Sequence, residues 1–143
     1  MASQKLLDIM NKAVARELQV SIQYMWQHVQ WSGVKGFAVH DELKHIAKAE
    51  MKHAERIAER LFYLGDTPTT RPDSISVGES LKEMIENDIK AEDSAIKLYR
   101  QAIEIAEKEG DITTAHMFVE ILEEEEKHQQ TFTFLNKEMT RSK

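Results

Sequence analysis

The chain has no cysteine, only two prolines and five glycines among its 143 residues, and nowhere a long run of apolar residues. Without cysteine there is no disulfide framework, thiolate zinc site, thiol nucleophile or cysteine-held iron–sulfur cluster, which suits a reducing compartment. With turn formers scarce and Ala, Leu, Ile, Glu, Lys and Gln abundant, all-β folds and disorder fit poorly and helices fit well. No span reaches the roughly 20 apolar residues that a membrane helix needs. The opening "MASQKLLDIMNKAVARE" is a charged amphipathic pattern rather than a secretory signal. A soluble, cytoplasmic protein with no membrane partner is therefore expected. Bases are also in short supply: 19 Lys and Arg stand against 25 Asp and Glu, a net charge of -6. That balance disfavours nucleic acid and favours cations as ligands or substrates.

What is present is 41% hydrophobic and 31% charged residues, enough for one domain over 1–143 with its own core. Apolar residues recur every three or four positions, interrupted at "SGVKG" (32–36), "GDTPTTRPDSISVG" (65–78) and "EGD" (109–111). Four helices follow, over about 3–32, 38–64, 78–108 and 112–140. Ser3 and Asp111 are placed to cap the first and fourth, and Ser76 with Glu79 reads as a capping box before the third. Gly65 and Gly110 are natural left-handed stops. At about 1.5 Å per residue each helix is roughly 40 Å long, so the two short links make antiparallel hairpins. The stretch from Asp66 to Val77 reaches roughly 40 Å when extended, long enough to cross the whole bundle. The expected fold is an all-α four-helix bundle with one long crossover between its second and third helices.

Two Glu-x-x-His pairs stand out: Glu50 with His53 in "EMKH", and Glu125 with His128 in "EEKH". Residues three apart share a helix face. Thirty-three residues before each pair's glutamate is another, Glu17 and Glu92, so the two halves superimpose at an offset of 75, which also carries Tyr24 onto Tyr99. Helical wheels place Glu17 on a stripe with Leu6, Met10, Ala13, Val20, Tyr24, His28 and Trp31. Glu50 falls among Leu43, Ile46, Ile57 and Leu61, Glu92 among Leu81, Ile85, Ile96 and Ile103, and Glu125 among Phe118, Ile121 and Phe132. All four acids should point into the core, whereas Glu123, Glu124 and Glu126 should turn toward solvent or the core's edge. Burying one unpaired carboxylate costs several kcal/mol, and no Lys or Arg stands on these stripes to neutralise four. Two divalent cations would balance four carboxylates and two neutral imidazoles, and the mixed oxygen and nitrogen donors suit iron or manganese. A Glu from each of two helices and a Glu-x-x-His from each of the others is the arrangement of ferritin-like di-iron and di-manganese proteins. The alternative is ordinary solvated helix charge.

At these residues the chain resembles the bacterioferritins: "ARELQVSIQY", "AEMKHAERIAERLFYLG" and "EILEEEEKH" look like that family's motifs, over roughly residues 6–136. The resemblance implies a ferritin-like bundle holding a di-iron ferroxidase centre, two irons per chain, that oxidises Fe(II) with O2 or H2O2 for storage or detoxification. It implies Glu17, Glu50, His53, Glu92, Glu125 and His128 as ligands, and Tyr24 beside them, donating an electron or hydrogen-bonding a ligand carboxylate. The plainer reading of Tyr24 is a core tyrosine with a satisfied hydroxyl. Asp88, one turn before Glu92, is a candidate to orient a ligand histidine. Met51 matches the methionine with which the family binds haem between two subunits; otherwise it packs in a dimer interface. A second apolar stripe on the first helix, Val14, Leu18, Ile22, Met25 and Val29, predicts a partner copy.

Larger members of the family continue into a fifth helix, whereas this sequence ends at Lys143. The expectation is a homo-oligomer, a dimer at least, with a 12-mer-type shell favoured over a 24-mer. His45 matches part of an inner-surface iron site, but Ala49 replaces its aspartate, so His45 reads as solvated; His28 reads as a satisfied core histidine. A rubrerythrin-like peroxidase is disfavoured by Ala95, where that family supplies another glutamate, and by the lack of cysteine. A DNA-protecting mini-ferritin is disfavoured because its iron site is shared between subunits and because the N-terminus here offers phosphates only Lys5.

Overall fold

The computed structural model describes residues 1–141, with side chains through residue 137. Four helices follow one another, α1 (Gln4–Gln30), α2 (Gly33–Tyr63), α3 (Leu81–Lys108) and α4 (Ile112–Arg141), and among the described residues there is no strand. None of these helices is long and apolar enough to cross a membrane. The helices pair as two hairpins, α1 with α2 and α3 with α4, joined by the crossover over residues 64–80. That crossover is tied along α1 in order. Asn11 bonds the backbone of Thr67 and Thr69, the Asp73 N–H donates to the Ala15 carbonyl at 3.0 Å, Ser76 bonds Gln23, and Gln27 donates to the Val77 carbonyl. Donors and acceptors along α1 therefore fix the route that the linker's length permits.

Local chemistry explains most helix ends. Ser3 accepts from the Leu6 N–H at 3.1 Å, Asp111 accepts from the Thr114 N–H at 3.0 Å, and Gly65 and Gly110 adopt positive φ. Two ends differ from expectation. The cap of α3 lies four residues later than Ser76: Ser80 accepts from the Glu83 N–H at 3.2 Å, and Glu83 reaches back to the Glu79 N–H. Ser76 is instead engaged by Gln23 and Asn87. The first turn is also shorter than "SGVKG" suggested, because α2 begins at Gly33. Gly36 is no breaker; a Cβ there would lie 1.9 Å from the Trp31 indole, so glycine lets α2 pack against that ring.

The core runs as two clusters above and below the middle of the bundle. One gathers Leu6, Met10, Ile57, Leu61, Tyr99, Phe118 and Ile121; the other gathers Val20, Tyr24, Leu43, Ile46, Ile85 and Phe132. Burying each of these large side chains contributes about 1.5–3 kcal/mol. On α3 the innermost positions are Ala95, Tyr99, Ala102 and Ala106, while Ile96 and Ile103 are only half-buried. Small residues there bring α3 close to its neighbours. The second stripe of α1 also divides: Val14 is buried in the core and Val29 is exposed.

Candidate metal centre

Between the two apolar clusters, each helix contributes a carboxylate to the middle of the bundle. Glu17, Glu50, Glu92 and Glu125 are all fully buried. Their glutamates and two histidines fall into two groups whose donor atoms lie within 4.8 Å of one another: Glu17, Glu50, His53 and Glu125, and Glu50, Glu92, Glu125 and His128. Glu50 and Glu125 belong to both. The Nδ1 of His53 faces Glu125 Oε1 at 3.1 Å and the Nδ1 of His128 faces Glu50 Oε1 at 2.7 Å. The structure thus brings together all six residues picked out by spacing.

Tyrosines brace the outer carboxylates. Tyr24 donates to Glu92 Oε1 at 2.7 Å, and Tyr99 donates to Glu17 Oε1. Burial pushes both phenols well above their ordinary value, so at neutral pH they remain donors. In the sequence Tyr99 is marked only as Tyr24's counterpart at the offset of 75, and that offset is the signal for its role.

Two expectations need correcting and a third residue gains a role. Arg16 stands on no apolar stripe, yet its side chain is only 5% exposed and its guanidinium lies among all four carboxylates. Its Nη1 donates to Glu50 Oε2 at 2.7 Å and to Glu125, and lies 3.3 Å from Glu17 Oε1; its Nη2 lies 3.2 Å from Glu92 Oε2 and 3.3 Å from the Ala91 carbonyl. A long flexible stem carries the charge inward from a backbone position off the stripe. Second, Glu124 sits exposed at the core's edge, as expected, but is not idle there: it contacts His53 Nε2 and leaves Nδ1 aimed at the cluster. Third, Asp88 accepts from Gln23 Nε2 at 3.0 Å rather than from a ligand histidine.

The electrostatics follow from burial and these partners. Burial pulls the His53 imidazole down, but Glu125 and Glu17 outweigh it and raise it to about 11. Burial, then Glu125, holds the Glu50 and Glu92 carboxyls well above the usual carboxylate range. For Glu125 burial is outweighed by Arg16, which holds this carboxyl well below that range. Burial raises Asp88 to about 8, partly offset by Gln23.

The donor set has room for cations. Each of the six residues keeps one buried atom without a hydrogen bond: Glu17 Oε2, Glu50 Oε1, His53 Nδ1, Glu92 Oε2, Glu125 Oε1 and His128 Nδ1. Some of these lie at ion-pair distance from a neighbour, as Glu92 Oε2 does from Arg16, but none is aligned as a hydrogen bond. Buried polar atoms left this way are costly unless something else engages them.

The other sequence candidates lie outside this cluster. Met51 is 47% exposed on α2, beside a groove lined by Val14, Leu18, Ala54, Ala58 and Pro68. His28 is half-buried, its Nδ1 2.6 Å from the His40 carbonyl, and His45 is exposed.

A four-helix bundle with one long crossover and carboxylates from every helix at its centre defines the ferritin-like class, and the ferritin-like domain model matches residues 7–142. Within that class the chain belongs to the bacterioferritin family. It is 38% identical to the bacterioferritin of Desulfovibrio desulfuricans over 125 residues, covering 87% of this chain and 70% of that protein. To the bacterioferritin of Rhodobacter capsulatus it is 31% identical over 126 residues, covering 87% of this chain and 78% of the other. The X-ray structure of the Desulfovibrio desulfuricans bacterioferritin, whose diiron site was captured in different catalytic states, superimposes with a TM-score of 0.90 at 34% identity. That match covers 96% of this chain and 81% of the other.

Proposed function

We propose that this protein is a ferroxidase that takes two Fe(II) per chain as substrate and oxidises them to Fe(III) with O2 or H2O2, for iron storage or detoxification. The observation that carries this reading is the pair of donor groups sharing Glu50 and Glu125. Glu17 and His53 would complete one position, Glu92 and His128 the other, and the shared carboxylates would bridge. Hard carboxylate oxygens with one imidazole per position suit Fe(II) and stabilise Fe(III) after it loses an electron. Each iron gives up one electron; two irons together reduce O2 and two protons to H2O2, or H2O2 and two protons to two waters.

The protein's part is to hold the irons as a pair and keep the ligands fixed. Tyr24 and Tyr99 orient the terminal carboxylates Glu92 and Glu17, and Glu124 engages His53 Nε2 so that Nδ1 faces inward. Mixing the protein with two Fe(II) per chain in air should give a fast absorbance rise from Fe(III), far faster than iron alone, and lost in Glu125→Ala. An iron oxidation rate equal to that of free solution would refute the proposal.

Oligomers and haem belong to the same reading. The exposed Trp26, Val29 and Phe37 beside the first hairpin support burial against a second copy, with a dimer as the minimum assembly. Light scattering reads the subunit number. Met51 is exposed at a mostly apolar groove, and its thioether would hold a haem placed between two copies. The group would supply an electron-transfer site. Protein from haem-supplied cells should show a haem spectrum that Met51→Leu loses; identical spectra would remove Met51 from the site.

A further inference from the structure

Arg16 holds the same carboxylates that the ferroxidase reading assigns to iron. Its two terminal nitrogens contact oxygens of Glu17, Glu50, Glu92 and Glu125. A guanidinium and two divalent cations cannot all sit among these carboxylates: Arg16 already takes one oxygen of each, Glu92 Oε2 included, leaving the cations only the second oxygens of the other three, and the three cationic groups would repel one another at contact distance in a buried site. A cavity of about 580 Å³ opens beside the cluster, lined by Arg16 itself together with Gln19, Gln23, Asp73, Ser76 and Asn87. Asp73 is held close by, because its N–H is bonded to the carbonyl of Ala15, the residue before Arg16. Ala91, whose carbonyl lies 3.3 Å from Arg16 Nη2, also lines this cavity.

We propose that Arg16 is an internal counter-ion that competes with iron for the four carboxylates, and that it turns outward into the cavity beside α1, toward Asp73, when the cations bind. The inference rests on the ferroxidase reading and deepens it. Arg16 then neutralises the buried acids whenever the cations are away, and every binding event must first displace it. Iron affinity is thereby traded for a cluster that stays folded when empty. Arg16 is a positioning residue, since it acts through the ligands and not on the oxidant.

The test is a titration with Co(II), which is redox-silent here and reports by its visible bands. The proteins are the wild type, Arg16→Gln and Asp73→Asn, stripped of metal, with thermal unfolding measured before and after loading. Arg16→Gln should unfold at lower temperature without metal yet bind Co(II) at least about tenfold more tightly, because no cation has to be displaced. Asp73→Asn should keep the wild-type unfolding temperature and bind Co(II) more weakly. Arg16→Gln binding Co(II) no more tightly than the wild type overturns the competition. Should Arg16→Gln fold only when Co(II) is present, the counter-ion role is supported; should it not fold at all, Asp73→Asn decides, and wild-type affinity there overturns the outward position. A wild type that takes up no Co(II) would instead overturn the ferroxidase reading itself.

Discussion

The contact between Glu124 and His53 makes a quantitative prediction that separates it from its neighbour in sequence. Glu124→Ala removes the carboxylate that fixes His53 Nε2 and so loosens the ring whose Nδ1 faces Glu125 at 3.1 Å. Loss of such an outer partner typically weakens metal binding about 10–100-fold, which corresponds to about 1.4–2.7 kcal/mol. His53 belongs to only one of the two donor groups. The penalty should therefore fall on one cation, and an anaerobic calorimetric titration with Fe(II) should split into one wild-type-like equivalent and one weakened by that factor. Glu125→Ala removes a carboxylate common to both groups, so both equivalents should vanish. Glu124 is half-exposed, and its loss should shift the unfolding midpoint little. A Glu124→Ala isotherm that overlays the wild type, or that weakens both equivalents alike, would refute the reasoning.

Tyr24→Phe leaves Glu92 Oε1 short of its donor, which should cost about 1–3 kcal/mol in urea unfolding of the metal-free protein, and a loss below about 0.5 kcal/mol would contradict it; Tyr99→Phe should cost less, because Arg16 still reaches Glu17 Oε1. Asp88 sets a pH dependence. Its folded value, about 8, lies above the ordinary 3.8, so its contribution is complete below about 3.8 and is lost as pH rises toward 8. Thermal unfolding of Asp88→Asn should accordingly gain on the wild type between pH 5 and pH 8, and a constant difference between the two would contradict this.

The bundle and its six central residues were legible because periodicity reports where a Cα points. The spacing of Glu17, Glu50, Glu92 and Glu125 put each acid on an apolar stripe, and all four are buried. Arg16 and Glu124 were not legible by that route, since each lies beside a stripe residue and reaches its partner through a long side chain rather than through backbone phase. Asp88 shows the converse: its phase was right and it is buried, but Gln23 is its partner. Helix ends misled where glycine served packing, as at Gly36 against Trp31, and where two serines competed for the cap of α3. The offset of 75 held most information, because it predicted not only the ligand set but Tyr99, whose role became plain only when its hydroxyl was found on Glu17.

The central claim is that one chain holds a pair of irons between its four helices. Anomalous diffraction at the iron edge, from crystals loaded with Fe(II) without air, tests this most directly. Two peaks about 3.5–4 Å apart are expected, one against Glu17 and His53 and the other against Glu92 and His128, with Glu50 and Glu125 touching both. A single peak, or iron bound only at the surface with Arg16 still among the carboxylates, would contradict it.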